Sequence, residues 1–127
     1  MNYSKATNYA LHTMQILAKQ DHLKRIGVTE LAQKQDLSPT YLSKILTKLA
    51  KAGLIDSSIG VGGGYILAKK PEVISFLEII QAIEGRTPLF RGCEAGHNHE
   101  CKIDEIMDNY EQHMIDYLSQ KNLRDVI

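Results

Sequence analysis

The residues between positions 93 and 101 form the densest set of chemically reactive side chains in the sequence. Cys93 and Cys101 are the two cysteines of the chain, and His97 and His99 lie between them. Thiolates bind iron–sulfur clusters and other soft metal sites, and imidazole can replace thiolates on one iron. Two thiols can also close to a disulfide without any metal. The spacing matches no zinc finger. Four interpretations of the segment stay open: an iron–sulfur cluster site, a thiol switch, another metal or small-molecule sensor, and a loop without a sensory role.

Helices precede this segment. Apolar residues recur at helical spacing from Ser4 to about Gln20, which predicts a first helix. The stretch His22–Gly27 is interpreted as a polar break. Thr29 is then expected to cap a short helix from Glu30 to Lys34 or Gln35.

A stronger start signal at positions 38 and 39 predicts the second helix of a helix-turn-helix. Ser38 is a favourable N-cap, Pro39 suits the first helical position, and Gly53 ends the helix. An apolar stripe marks its inner side, so its other residues would face the major groove and the phosphates of DNA. These residues are Ser38, Pro39, Thr40, Tyr41, Ser43, Lys44, Thr47 and Lys48. An ordinary solvated helix face is the alternative.

Two short strands, at 54–58 and 65–67, are predicted to follow. The residues between them include Gly60, Gly62, Gly63 and Gly64, a composition that favours a hairpin tip. A hairpin directly after a helix-turn-helix is a wing, so Gly62, Gly63, Gly64 and Tyr65 join the predicted DNA-binding residues. Tyr65 either touches the sugar-phosphate backbone or packs at the base of the hairpin. The glycine run lacks the Gly-Lys-Ser/Thr ending of a nucleotide-binding loop.

The C-terminal third contains two further predicted helices. A capping box at Ser75 and Glu78 opens a helix over 76–84, and Gly85 ends it. A long helix is predicted from about Lys102 to Gln120. Its single apolar stripe needs a partner surface, and a second copy of the chain is the economical choice, with a groove for another protein as the alternative. The stripe consists of Ile103, Ile106, Met107, Tyr110, Met114, Tyr117 and Leu118.

The net charge is zero, but the charges are segregated. Residues 1–70 carry ten Lys and Arg against four acidic residues, whereas residues 71–127 carry five against eleven. The basic N-terminal part predicts one face that meets double-stranded DNA. Chance segregation of solvated charges is the alternative. No run approaches the ~18 apolar residues that span a bilayer, and no secretory signal is visible. We therefore expect a cytoplasmic protein with reduced thiols and no membrane partner. The sequence shows no nucleophile beside a base, no paired carboxylates in an apolar setting and no cofactor motif. It therefore does not predict an enzyme.

Five short motifs occur in a specific order along nearly the whole chain. They are Tyr9-Ala10-Leu11, Ser38-Pro39-Thr40-Tyr41-Leu42, Ala52-Gly53-Leu54-Ile55, Gly62-Gly63-Gly64-Tyr65-Ile66-Leu67-Ala68 and Ile83-Glu84-Gly85. Together they resemble the bacterial winged helix-turn-helix regulators of the IscR, NsrR and CymR type. The resemblance implies a homodimer with crossed long helices and, in many members, an iron–sulfur cluster on three loop cysteines. It also implies that the first helix of a partner subunit approaches this loop, which adds His12 to the candidate metal ligands.

The sequence departs from the family pattern in the wing, in the cysteine set and near its start. Ile59 and Val61 occupy the usual arginine and proline positions of the wing, and Met107 occupies the position of the third cysteine. Asn8 replaces an acidic residue found in several cluster-binding members. We therefore hypothesise a [2Fe–2S] cluster on Cys93 and Cys101, completed by nitrogen or oxygen donors. His12, His97 and His99 are the candidate donors, and a dithiol switch is the competing account.

These patterns predict a mainly α fold with a small β-hairpin wing. A winged helix-turn-helix is expected over residues 1–85, a sensor loop over 86–101, and a dimerisation helix with its tail over 102–127. The predicted function is a DNA-binding transcriptional regulator, expected to act as a repressor. It would sense redox state, iron–sulfur status or a related signal through the Cys93–Cys101 loop. The alternative is a non-catalytic metal- or redox-binding adaptor with impaired DNA binding.

Overall fold

The structure is a computed structural model that describes residues 2–21, 23–86 and 101–127. Within these ranges the chain is mainly helical with one two-stranded antiparallel sheet, as the sequence predicts. The elements in chain order are α1 (Lys5–Lys19), α2 (Val28–Lys34), α3 (Pro39–Lys51), β1 (Ile55–Ser58), β2 (Gly64–Leu67), α4 (Phe76–Glu84) and α5 (Lys102–Gln120). Two short 3-10 helices, Pro71–Val73 and Leu123–Val126, complete this part of the chain.

The starts of α3 and α4 follow the capping chemistry predicted from the sequence. The Ser38 hydroxyl accepts a hydrogen bond from the backbone N–H of Tyr41 at 3.1 Å, and Pro39 occupies the first turn. The Ser75 hydroxyl and the Glu78 carboxylate form the predicted capping box. Such side chains satisfy backbone N–H groups that have no partner within the helix. The bounds of α4 and α5 also agree with the prediction.

The start of α2 differs from the prediction. The helix begins at Val28 after Gly27, so Thr29 lies inside the first turn and does not cap the helix. The reason is tertiary. Ile26 is held in an extended β-bridge to Tyr65, and the chain turns into the helix as soon as that pairing ends.

The same β-bridge ties the segment before α2 to the hairpin. The backbone N–H of Ile26 donates to the Tyr65 carbonyl at 3.0 Å, and the Tyr65 N–H donates back to the Ile26 carbonyl at 2.8 Å. Ile26 is buried. The prediction of a polar break over 22–27 is therefore wrong at Ile26, because one isolated apolar residue produces no periodicity.

One hydrophobic core lies among α1, α2, α3, α4 and the hairpin. Its buried apolar side chains are Ala10, Met14, Leu17, Ile26, Leu31, Ala32, Leu42, Ile45, Leu46, Leu49, Leu54, Ile55, Ile74, Ile79 and Leu123. Leu123 comes from the C-terminal segment, and its backbone N–H donates to the Ile74 carbonyl at 3.1 Å. The Gln15 side-chain amide donates to the Val126 carbonyl at 2.9 Å. The chain therefore returns to the core after α5, a connection that no periodic pattern predicts.

α5 packs against α4 and carries two adjacent apolar faces. The half-buried members of the predicted stripe are Met107, Met114 and Leu118. The exposed members are Ile103, Ile106, Tyr110 and Tyr117, each 46% to 68% exposed. The single stripe read from the sequence is thus divided into a side covered by the same chain and a side open to a partner. Neither α5 nor any other helix in the described ranges is long and apolar enough to cross a membrane.

Candidate nucleic-acid interface

α3 has an inner and an outer side of different chemistry. Leu42, Ile45, Leu46 and Leu49 are buried and anchor the inner side in the core. Of the eight residues predicted for this helix to contact DNA, seven are exposed. These are Ser38, Pro39, Thr40, Tyr41, Lys44, Thr47 and Lys48. Ser43 is half-buried. Hydroxyls and lysines therefore cover the solvent side of the helix, as contacts to base edges and phosphates require.

Neighbouring groups orient two side chains on this surface. The Tyr41 ring meets the Tyr9 ring edge-on, with centroids 6.0 Å apart and an interplanar angle of 89°. The Thr47 hydroxyl donates to the Ser43 carbonyl one turn earlier at 2.8 Å. Packing and internal hydrogen bonds thus restrict both side chains before any ligand binds.

Glu84, the last residue of α4, joins α4 to the start of α1 and lies near α3. Its carboxylate accepts hydrogen bonds from the Thr7 hydroxyl at 2.5 Å, from the Ser4 backbone N–H at 2.7 Å and from the Ser4 hydroxyl at 3.0 Å. The Thr7 hydrogen bond is the largest cause that lowers the pKa of Glu84, followed by those from Ser4 and by the charge of Lys48. One carboxylate therefore fixes the start of α1 to the end of α4, within the electrostatic reach of Lys48 on α3.

The hairpin is a wing whose glycines are required by the fold. A side chain on Gly63 would begin 2.4 Å from the Ser58 carbonyl oxygen. On Gly64, which has a φ of +131°, it would begin 2.6 Å from the Ile26 carbonyl oxygen. Gly62 has a φ of +78° but is surrounded by open space. Close backbone packing thus accounts for two of the three glycines predicted to bind DNA, and all three shape the turn.

Arg25 lies against both strands of the wing, and no sequence pattern indicates this position. Its guanidinium Nη1 lies 3.4 Å from the Gly64 carbonyl and 3.5 Å from the Asp56 carbonyl, so it bridges the two strands. Tyr65 is half-buried and packs against the core, as one of its two interpretations predicts. The sequence signal for this contact between the segment before α2 and the hairpin is Ile26, a β-branched residue next to Arg25.

The predicted metal ligands divide into two groups. Cys93, His97 and His99 lie outside the described residues. Cys101 is half-buried at the N-cap of α5 and forms no disulfide there. His12 is exposed on α1, and its Nδ1 lies 2.8 Å from the Asn8 carbonyl, so Nε2 is the nitrogen directed away from that hydrogen bond.

A three-cysteine cluster does not fit this chain. The third position is Met107, a half-buried thioether on α5 that cannot become a thiolate. Over residues 2–21, 23–86 and 101–127, no three His, Cys, Asp or Glu side chains form a group that could hold a metal ion. One chain therefore offers two thiols, Cys93 and Cys101, to an iron–sulfur site.

Comparison with known proteins assigns this architecture. Residues 3–127 match the family described as "Rrf2: Iron-dependent Transcriptional regulator". The chain belongs to the Rrf2 family. The solved structure of CymR, the global cysteine regulator of Bacillus subtilis, superposes with a TM-score of 0.87 and 28% identity, covering 99% of this chain and 95% of that one.

Two curated relatives of this Rrf2 chain are named as helix-turn-helix regulators. NsrR of Bacillus licheniformis is 26% identical over 100% of this chain and 92% of its own length. IscR of Cereibacter sphaeroides is 29% identical over 87% of this chain and 76% of its own length. The predicted family and winged-helix fold are confirmed. Rrf2 proteins are DNA-binding transcriptional regulators and not enzymes, which agrees with the prediction for this chain.

Proposed function

We propose that this protein is a dimeric transcriptional repressor that places α3 in the major groove of a two-fold symmetric operator. The observation that carries the proposal is the outer side of α3, where Thr40, Lys44, Thr47 and Lys48 are exposed beside a wing. The basic half of the sequence contains both elements. Such a protein acts in the cytoplasm, where it meets chromosomal DNA.

The exposed face of α5 supports the dimer. Ile106 is 68% exposed and Tyr117 is 62% exposed, although both lie on the face of a helix whose other side packs on its own chain. Large apolar side chains arranged in this way mark an interaction surface. A two-fold dimer presents two recognition helices, so half-sites should repeat at one helical turn or a multiple of it.

A binding assay tests the operator proposal. A duplex of roughly 40 base pairs is selected by the wild-type protein from a random library, and its affinity is measured between about 50 and 200 mM salt. Lys44→Ala and Lys48→Ala should each weaken binding and lower the slope of log affinity against log salt by about 1, because each removes one phosphate contact.

Arg124→Ala is the matched control, because Arg124 is an exposed cation of the acidic half, 3.9 Å from the Glu72 carboxylate and outside both α3 and α5. Its affinity and salt slope should equal those of the wild type. Unchanged affinity in both α3 variants would contradict the docking of α3. Failure of the wild type to enrich any duplex would favour the adaptor alternative.

We further propose that the Cys93–Cys101 loop is the sensor. Cys101 is the N-cap of α5, so a group bound to this thiol is attached directly to the helix with the exposed apolar face. This segment also joins the DNA-binding elements to α5 in sequence, so a group bound to it would act on the connection between the two and thereby on the spacing of the two recognition helices. The proposed group is a [2Fe–2S] cluster on Cys93 and Cys101, with one or more of His12, His97 and His99 as nitrogen donors. When bound it would supply one-electron redox chemistry.

Purification without oxygen tests the sensor. Iron and sulfide should co-purify with the wild type and be lost together in the Cys93→Ala, Cys101→Ala double variant. A colourless, iron-free protein, even after reconstitution, would contradict the cluster proposal. It would favour a dithiol that closes to a disulfide under oxidation. Iron retained in the double variant would show that these thiols are not its anchor.

A further inference from the structure

The tip of the wing is an uncharged, apolar point. Ile59 and Val61 are fully exposed, at 101% and 110%. Residues 57–64 contain no charged side chain. These two side chains make no contribution to the core, so the fold itself gives no reason for aliphatic residues at the tip.

The tip is held in a defined shape. The Gly63 N–H donates to the Gly60 carbonyl at 2.9 Å, which closes the turn around Val61. Close packing of Gly64 on Ile26 holds β2 at its turn end. Both aliphatic side chains are therefore presented outward by a closed turn.

The wing continues the surface formed by α3. β1 begins four residues after α3 ends and packs against it. α3 carries exposed Lys44, Lys48 and Lys51, whereas the tip carries no charge that could neutralise a phosphate. A helix with exposed lysines thus contacts the first strand of a hairpin whose tip is apolar.

We infer that the wing inserts Ile59 and Val61 into the minor groove of DNA as an apolar wedge. This inference rests on the proposed function. The minor groove is about 6 Å wide, and residues 59–64 carry no side chains besides those of Ile59 and Val61 that would obstruct entry. Aliphatic side chains in this groove contact the sugars and can wedge between base steps. They cannot accept a hydrogen bond from the amino group of guanine, so A·T pairs are preferred under the wing.

The wedge has a different electrostatic signature from a cationic wing. Affinity contributed by apolar burial does not release counterions, so it leaves the salt slope unchanged. The Ile59→Ser, Val61→Ser double variant should therefore bind about ten- to a hundredfold more weakly at every salt concentration, with the wild-type slope. Ile59→Arg should instead steepen the slope by about 1.

The probe is the duplex selected by the wild-type protein, together with derivatives in which A·T pairs under the wing become G·C or inosine·C. Inosine lacks the guanine amino group, so G·C should weaken binding and inosine·C should restore it. Val73→Ser is the control, because Val73 is 56% exposed on the turn Pro71–Val73, away from the wing in sequence. It should bind as the wild type does.

Four results would overturn the wedge. One is unchanged affinity in the double serine variant while Lys44→Ala and Lys48→Ala still weaken binding, which would leave the proposed function intact. A second is a lower salt slope in the double serine variant. A third is a change in the oligomeric state of that variant, and this result would assign the tip to a protein contact. A library from which the wild type enriches no duplex would remove the proposed function and the wedge together.

Discussion

At the scale of single residues, Glu84 joins the end of α4 to the start of α1. It accepts three hydrogen bonds at the N-terminus of α1, and the Thr7 hydroxyl that donates one of them belongs to a buried residue. A carboxylate accepts stronger hydrogen bonds than a neutral amide oxygen, so Glu84→Gln keeps an acceptor for the buried Thr7 donor but weakens the bond. The stability of the contact between α1 and α4 should therefore depend on this carboxylate.

Glu84→Gln should lower the free energy of unfolding by about 1 kcal/mol at pH 7, because the carboxylate is largely exposed and its hydrogen bonds are partly screened. The pKa of Glu84 is lowered in the folded chain, chiefly by the Thr7 hydroxyl. Its stabilisation is thus complete above the ordinary pKa of glutamic acid and is lost as pH falls through the lowered value. The difference between wild type and variant should shrink on acidification.

Urea denaturation at fixed protein concentration, from pH 7 to about pH 3, measures this difference. Asp108→Asn is the control, because Asp108 is an exposed carboxylate on α5. It should show no comparable loss at pH 7. A destabilisation by Glu84→Gln that stays constant over the pH range would contradict the role of the charge.

Two glycines of the wing distinguish steric packing from backbone strain. Gly64→Ala should lower the melting temperature more than Gly62→Ala does. Alanine at Gly64 meets the Ile26 carbonyl as well as an unfavourable φ, whereas alanine at Gly62 meets only the unfavourable φ. The strain alone costs about 1–2 kcal/mol. Circular dichroism melts of both variants measure the order, and equal melting temperatures would show that the hairpin moves away from Ile26 at little cost.

At the scale of elements, Ser38 combines a helix cap with a proposed DNA contact. Its hydroxyl caps α3 and is also exposed at the end of the helix that is proposed to face DNA. Substitutions that keep or remove the cap can separate these two roles, because aspartate caps helices about as well as serine does.

Ser38→Ala should lower the free energy of unfolding by about 1 kcal/mol through loss of the cap. Ser38→Asp should retain that stability and yet bind the selected duplex much more weakly, because it places a negative charge against phosphates. Chemical denaturation and fluorescence anisotropy provide the two measurements. If Ser38→Asp binds as tightly as the wild type, the N-terminus of α3 does not face DNA.

At the scale of the whole molecule, the exposed side of α5 should decide the oligomeric state. Ile106→Glu with Tyr110→Glu should convert a dimer into a folded monomer, because each charge would be buried without a partner in the interface. Gln112→Glu with Ser119→Glu adds the same charge on the opposite exposed side of the helix and should remain dimeric. Sedimentation velocity distinguishes these states, and a dimeric first variant would place the interface elsewhere.

The sequence alone determined the elements whose signals are local. Ser38 with Pro39, and Ser75 with Glu78, are complete start signals, because a cap acts on backbone groups within three residues. The bounds of α4 and α5 and the glycine-rich turn of the wing follow from similarly short patterns. The outward residues of α3 could also be named in advance, because an apolar stripe at helical spacing defines the opposite side.

Only the tertiary structure decided which contacts join segments far apart in the chain. Ile26 pairs with Tyr65, Glu84 accepts hydrogen bonds from the start of α1, and Leu123 returns to the core, yet none of the three belongs to a repeat that a sequence pattern could show. The division of α5 also depends on packing. Met107 and Ile106 are neighbours of similar hydrophobicity, and the position of α4 determines which side of the helix its own chain covers. Burial is a property of the assembled chain, and for that reason the face available to a partner could not be read from hydrophobicity alone.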